Sequence, residues 1–179
     1  MVAYVFIPGI DGSDEQHWQT LWEQESGPAA VRIAPASWSA PDRSDWIAAV
    51  QNAYDRFPSD EVVLVAHSLG CWAAADWLTG TAPDRVRAAL LVAPPDPEGP
   101  AFPREAASTF LASAARPLPC PALVVGSPDD PYCTAEMATH FAHQWKADLH
   151  LTDGGGHLNS ASGLGTWPEG RRLLTGLTG

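Results

Sequence analysis

Lysine is nearly missing from this sequence: Lys146 stands alone beside nine arginines and 21 acidic residues, for a net charge of −11 at pH 7. The arginines are scattered from Arg32 to Arg172. No clustered basic face is available to neutralise a phosphate backbone, so nucleic acid is not an expected partner. Cysteine is scarce too. Cys71, Cys120 and Cys133 form an odd set without a CxxC pair or alternating histidines, which excludes a disulfide framework and a zinc site on spacing. Free thiols fit a reducing cytoplasm, the expected location. Long apolar runs are also absent. The first spans only Val2 to Ile7 and follows no basic segment, too short for a signal peptide or a membrane span.

What remains is the composition of a folded globular chain: 45% hydrophobic residues, 17% charged, and eight tryptophans. At 179 residues it accommodates one core, so residues 1–179 are read as a single domain, a monomer or weak homo-oligomer. Apolar runs at Val2–Ile7, Val31–Ala34, Glu61–Ala66, Val86–Ala93, Pro121–Gly126 and Asp148–Leu151 read as six short strands. Runs such as VVLVA and AALLVA are continuous rather than alternating, as in strands buried on both faces. Helical stripes lie between them: Trp18, Leu21, Trp22; then Trp46, Ile47, Val50, Tyr54, Phe57; then Met137, Phe141, Trp145 after a Thr134 cap. This βαβα order predicts an α/β fold, a doubly wound and mainly parallel sheet with helices on both faces. The proline-rich stretch from Pro94 to Pro119 reads as an excursion over the sheet edge with one short helix near Arg104 to Ala115. No segment is long enough for a large cap domain.

The strand EVVLVA runs into His67-Ser68-Leu69-Gly70 and then the helix-compatible CWAAADWL. A nucleophile elbow needs small residues two before and two after its serine, because strand and helix meet in a sharp turn. Ala66 and Gly70 meet that need, although the G-x-S-x-G pattern begins here with alanine. An activated serine requires a base oriented by an acid, in the chain order Ser, Asp, His. GSPDDPYC supplies Asp129 and Asp130 at a strand end, and GGGHLNSASG supplies His157. Asp130 is favoured as the acid, with Asp129 as the alternative and helix capping as the other use of the pair. The oxyanion donors expected are the amides of Leu69 and Ile10.

Gly9, Asp11, His17, Trp18, Asn159 and Trp167 are the candidate substrate contacts, although for His17 a structural role in capping or packing is the favoured reading. Trp18, Trp38, Trp167 and the 94–119 excursion are candidate walls of a shallow pocket for a modest acyl group. In the alternative, those tryptophans are core and the pocket is polar. His67 is expected to point away from the nucleophile. His140 and His143 share a helix face with no third ligand in view, so a solvated face is expected and no metal or other cofactor is implied.

The blocks PGIDGSDEQHWQTLW, VLVAHSLG, VAPPD, GSPDDPYC and GHLNSASGLGTWPEG resemble the bacterial serine hydrolases related to retinoblastoma-binding protein 9. The resemblance runs through nearly the whole chain. It implies a compact α/β-hydrolase with its triad on Ser68, Asp130 and His157. The family's first elbow glycine is replaced by Ala66. Retinoblastoma binding in the animal protein rests on Leu-x-Cys-x-Glu, and neither Leu69-Gly70-Cys71-Trp72-Ala73 nor Leu118-Pro119-Cys120-Pro121-Ala122 has the glutamate, so that partner is not expected. The reading is an esterase-like serine hydrolase acting on a small acyl substrate, an ester or thioester. Its alternatives are a non-catalytic interaction protein on the same scaffold, or acyl transfer or cyclisation chemistry.

Overall fold

A computed structural model describes residues 1–179. Six strands, β1 (Val2–Ile7), β2 (Ala30–Arg32), β3 (Glu61–His67), β4 (Val86–Val92), β5 (Ala122–Gly126) and β6 (Asp148–Leu151), form one sheet in the order β2-β1-β3-β4-β5-β6. Every pairing is parallel. Five helices alternate with them: α1 (Trp18–Ser26), α2 (Arg43–Tyr54), α3 (Leu69–Thr81), α4 (Ala135–Trp145) and α5 (Pro168–Thr178). No helix is long and apolar enough to cross a membrane.

The side-chain period of two splits β3 between two cores. Val62, Leu64 and Ala66 face one that holds Trp46, Trp72, Trp77 and Trp145 from α2, α3 and α4. Val63 and Val65 face the other, where Trp18, Trp22, Trp167 and Leu174 pack from α1, α5 and the turn before α5. The continuous apolar runs thus belong to strands covered on both sides, as two-sided burial requires. The connections from β1 and β3 depart to opposite faces, so a crevice opens between their carboxyl ends, where ligands bind in sheets of this kind.

Strands β4 and β5 are each one residue shorter than expected, and further differences lie elsewhere. Strand β2 is shorter and starts at Ala30, whereas β3 continues through His67. The helix expected near Arg104 to Ala115 is only a 3-10 turn at Ser108–Ala112. Tertiary hydrogen bonds override the alanine propensity there. Thr109 Oγ1 accepts the Arg43 amide at 2.9 Å, and the Ser113 hydroxyl donates to Asp76 at 2.6 Å. The Trp72 indole donates to the Pro95 carbonyl at 2.8 Å, fixing the start of the same excursion against α3.

Candidate active site

Strand β3 ends at His67, and the chain turns into α3 through Ser68, whose φ of 54° and ψ of −129° lie outside the ordinary regions for a non-glycine residue. The Ser68 amide donates to the Val92 carbonyl at 2.9 Å. Although Ser68 occupies the N-cap position of α3, its side chain does not cap the helix. The sharpness of the turn explains its small neighbours. A Cβ on Gly70 would sit 2.1 Å from the Ile7 carbonyl oxygen, and one on Gly9 would sit 2.7 Å from the Ser68 Cβ. Both glycines are required because the end of β1 lies directly against the elbow.

The free Ser68 hydroxyl lies 2.7 Å from Nε2 of His157. The other ring nitrogen, Nδ1, lies 3.0 and 2.9 Å from the two carboxylate oxygens of Asp130. A carboxylate offers only acceptors, so the imidazole proton sits on Nδ1 and Nε2 accepts from serine. Asp130 is 8% exposed and also accepts the Tyr132 amide at 2.9 Å. Its neighbour does a different job. Asp129 is exposed and accepts the Gly156 amide at 2.9 Å together with the Ser127 hydroxyl; these bonds hold its carboxyl below the usual range. One aspartate therefore orients the imidazole while the other holds its loop.

That loop needs holding. Gly154, Gly155, Gly156 and Leu158 all have positive φ. Its successive carbonyls at His157 and Leu158 are fixed from below: His67 Nε2 donates to the first at 2.9 Å, and the Trp18 indole to the second at 2.8 Å. His67 thus lies beneath His157, because the alternation of β3 carries it onto the α1 face beside His17 and Trp18. Burial, then the neighbouring His157 and His17, push its pKa well below the ordinary value. It stays neutral, and its bond to a carbonyl identifies Nε2 as the protonated nitrogen. Sequence reasoning missed this role; the polar residue ending an apolar strand was its available signal.

A cavity of about 510 Å³ covers Ser68, within the usual range for small-molecule sites. Gly9, Ile10, Asp11, His17, Leu69 and Asn159 line it. The Ile10 amide has no acceptor within the protein, and Leu69, as the first residue of α3, has none within its helix, leaving two candidate donors beside the serine. Trp18 and Trp167 do not line it. They are 1% and 3% exposed and pack on each other with Trp22 under the His157 loop. Trp38 instead packs against Trp46. Trp18 and Trp167 are core, Trp38 is partly buried against it, and only five of the 17 lining residues are hydrophobic. Pro95, Ala101 and Pro103 bring the 94–119 excursion onto the wall, and Tyr132, whose ring centroid is 4.5 Å from that of His157, Asp14 and Ser160 complete walls that sequence reasoning did not name.

His17 combines the two roles weighed for it. Its Nδ1 accepts the Gln19 amide at 3.2 Å and so caps α1, while the residue also lines the cavity. Burial lowers its pKa to about 4, so it too is neutral. Gln19, fully buried, donates to the carbonyls of Val65 and Ile7 and ties α1 to the two strand ends that flank the crevice. His140 and His143 are exposed on α4.

A family model described as serine hydrolase matches residues 4–176 of the chain. No curated protein matches it. Among solved structures, it is similar to a YdeN-like hydrolase from Pectobacterium atrosepticum, with 28% identity, a TM-score of 0.86, and coverage of 99% of this chain and 91% of that one. The ydeN gene product of Bacillus subtilis is 21% identical with a TM-score of 0.75, the alignment covering 98% of this chain and 97% of that chain. Mouse alpha/beta hydrolase domain-containing protein 10 is 17% identical with a TM-score of 0.74, over 98% and 90% of the two chains. The last two likenesses concern the fold.

Proposed function

The chain belongs to the serine hydrolase family, and from that premise we propose that it cleaves an ester-type bond, a carboxylic ester or thioester, of a small acyl substrate through Ser68, His157 and Asp130. The observation that carries the reading is the continuous relay from Ser68 Oγ to His157 Nε2 at 2.7 Å and from Nδ1 to the Asp130 carboxylate.

In this mechanism Ser68 Oγ attacks the carbonyl carbon as His157 Nε2 takes the hydroxyl proton. The carbonyl oxygen becomes an oxyanion and is met by the amides of Leu69 and Ile10, which cost no reorganisation. The C–O or C–S bond then breaks, His157 gives its proton to the departing atom, and the acyl group remains on Ser68. Water, deprotonated by His157, attacks the acyl-enzyme; the acyl–Oγ bond breaks, Ser68 recovers its proton from His157, and the acid leaves. Asp130 holds the imidazole in the required tautomer and stabilises the imidazolium. These steps call for no cofactor. The strained backbone at Ser68 costs on the order of 1–3 kcal/mol, and a purely binding role gives no reason to keep it beside a base and an acid. Three unpaired thiols fit action in a reducing cytoplasm.

The reading is tested by steady-state hydrolysis of p-nitrophenyl esters and short acyl thioesters. Turnover on short acyl groups that drops about 10⁴-fold or more in Ser68→Ala is the expected result. Equal turnover in the variant, or none with any substrate, counts against it.

A further inference from the structure

The charge on the cavity wall has one sign. No lysine or arginine lines it, whereas Asp11 and Asp14 both do. Both are exposed, and neither enters an ion pair elsewhere in the protein. The Asp11 carboxylate has no internal hydrogen bond, and only Oδ1 of Asp14 is engaged, by the Gln16 amide and the Ser160 hydroxyl. The histidines do not offset this charge. His67 and His17 are neutral, and His17, 3% exposed on the same wall, keeps an Nε2 without a partner in the protein. Since its Nδ1 accepts from Gln19, that nitrogen is a donor for an oxygen acceptor and adds no positive charge.

Catalytic geometry assigns the two ends of a substrate to different walls. The base returns its proton to the leaving atom, so the leaving group must lie beside His157. The residues that follow His157, namely Asn159, Ser160 and Ala161, line the cavity, and Ser160 donates to Asp14 at 2.7 Å. Hence the leaving group meets the wall that carries Asp14, with Asp11 in the lining of the same cavity. Leu69, Pro95, Ala101 and Pro103 supply apolar lining for an acyl group.

We propose that the enzyme selects substrates whose leaving group is cationic, an ammonium-bearing alcohol or thiol, and rejects those whose leaving group is anionic. This rests on the hydrolase reading above. A positive leaving group finds unpaired carboxylates at the mouth of a cavity in a chain of net charge −11; a phosphorylated or carboxylated one meets repulsion without a compensating cation.

Three acetate esters that share an acyl group provide the test: those of choline, of the uncharged isostere 3,3-dimethylbutanol, and of glycolate. The expected order of kcat/KM is choline ester, neutral ester, glycolate ester, with the first about tenfold above the second at low ionic strength and the ratio shrinking toward one near 1 M salt. Asp11→Asn lowers the choline-to-neutral ratio several-fold. Asparagine tolerates the positive φ of 63° at this position, so the backbone is preserved, and thermal unfolding checks it. Equal kcat/KM for the three esters, preference for glycolate, or a ratio indifferent to Asp11→Asn overturns the proposal while Ser68 remains reactive to a fluorophosphonate. No hydrolysis together with an unreactive Ser68 overturns the hydrolase reading and this proposal with it.

Discussion

Two adjacent aspartates make unequal contributions to one histidine. Asp130 contacts the imidazole with both oxygens and is nearly buried, whereas Asp129 reaches only the backbone of Gly156 and the Ser127 hydroxyl. Asp130→Asn replaces an acceptor with an amide that favours the wrong imidazole tautomer, and kcat is expected to fall about 10³–10⁴-fold. Asp129→Asn keeps an acceptor for the loop and is expected to lose about tenfold or less. Paired steady-state assays decide this; equal losses, or the larger loss at residue 129, would reverse the roles. The sequence DDP alone left the choice open, because both side chains follow the same strand and differ only in which part of a loop 27 residues downstream they meet.

The elbow works because three elements converge on it. The close of β1 lies against the start of α3, and the β6–α5 loop lies over both. Gly70→Ala would drive a methyl group into the Ile7 and Pro8 carbonyls, at 2.1 and 2.5 Å. Backbone cannot yield as a flexible side chain does, so a loss of about 3 kcal/mol or more is expected, read as a lower denaturant midpoint; an unchanged midpoint would mean that the turn is looser than described. This convergence was partly legible. Small residues around Ser68, a glycine run before His157 and a strand before each were visible as pattern, since each is a local requirement of a turn. The supports beneath were not. Trp18 and His67 hold the carbonyls of residues 158 and 157, contacts that span 140 and 90 positions and leave no periodic trace. Trp18 and Trp167 looked like pocket walls because aromatic residues near a catalytic loop serve either purpose; only their packing on Trp22 places them in the core.

Across the whole molecule, the strand runs and their order revealed the sheet class, because burial on both faces demands continuous apolarity. The excursion was less legible. Its alanines favour a helix, but its hydroxyls and prolines are committed to α2 and α3. A whole-molecule consequence concerns acid. Buried His17 has a folded pKa of about 4 against 6.5 for the free side chain, and His67 is displaced in the same direction. In this range the unfolded chain binds more protons, so stability falls as pH drops through about 6.5, and the part of the loss due to His17 saturates below about 4. For His17 this loss is about 3 kcal/mol. Urea unfolding across this range should therefore show a falling midpoint, with a shallower slope in His17→Asn, where asparagine retains the helix cap. Parallel slopes would mean that His17 is charged in the folded protein.

The most direct test of the central claim is intact-mass analysis after treatment with a fluorophosphonate, comparing the native protein with Ser68→Ala. The activated serine described above predicts a single adduct on the native chain and none on the variant. A folded native protein that takes no adduct, or a variant that is labelled as readily, would contradict Ser68 as the nucleophile.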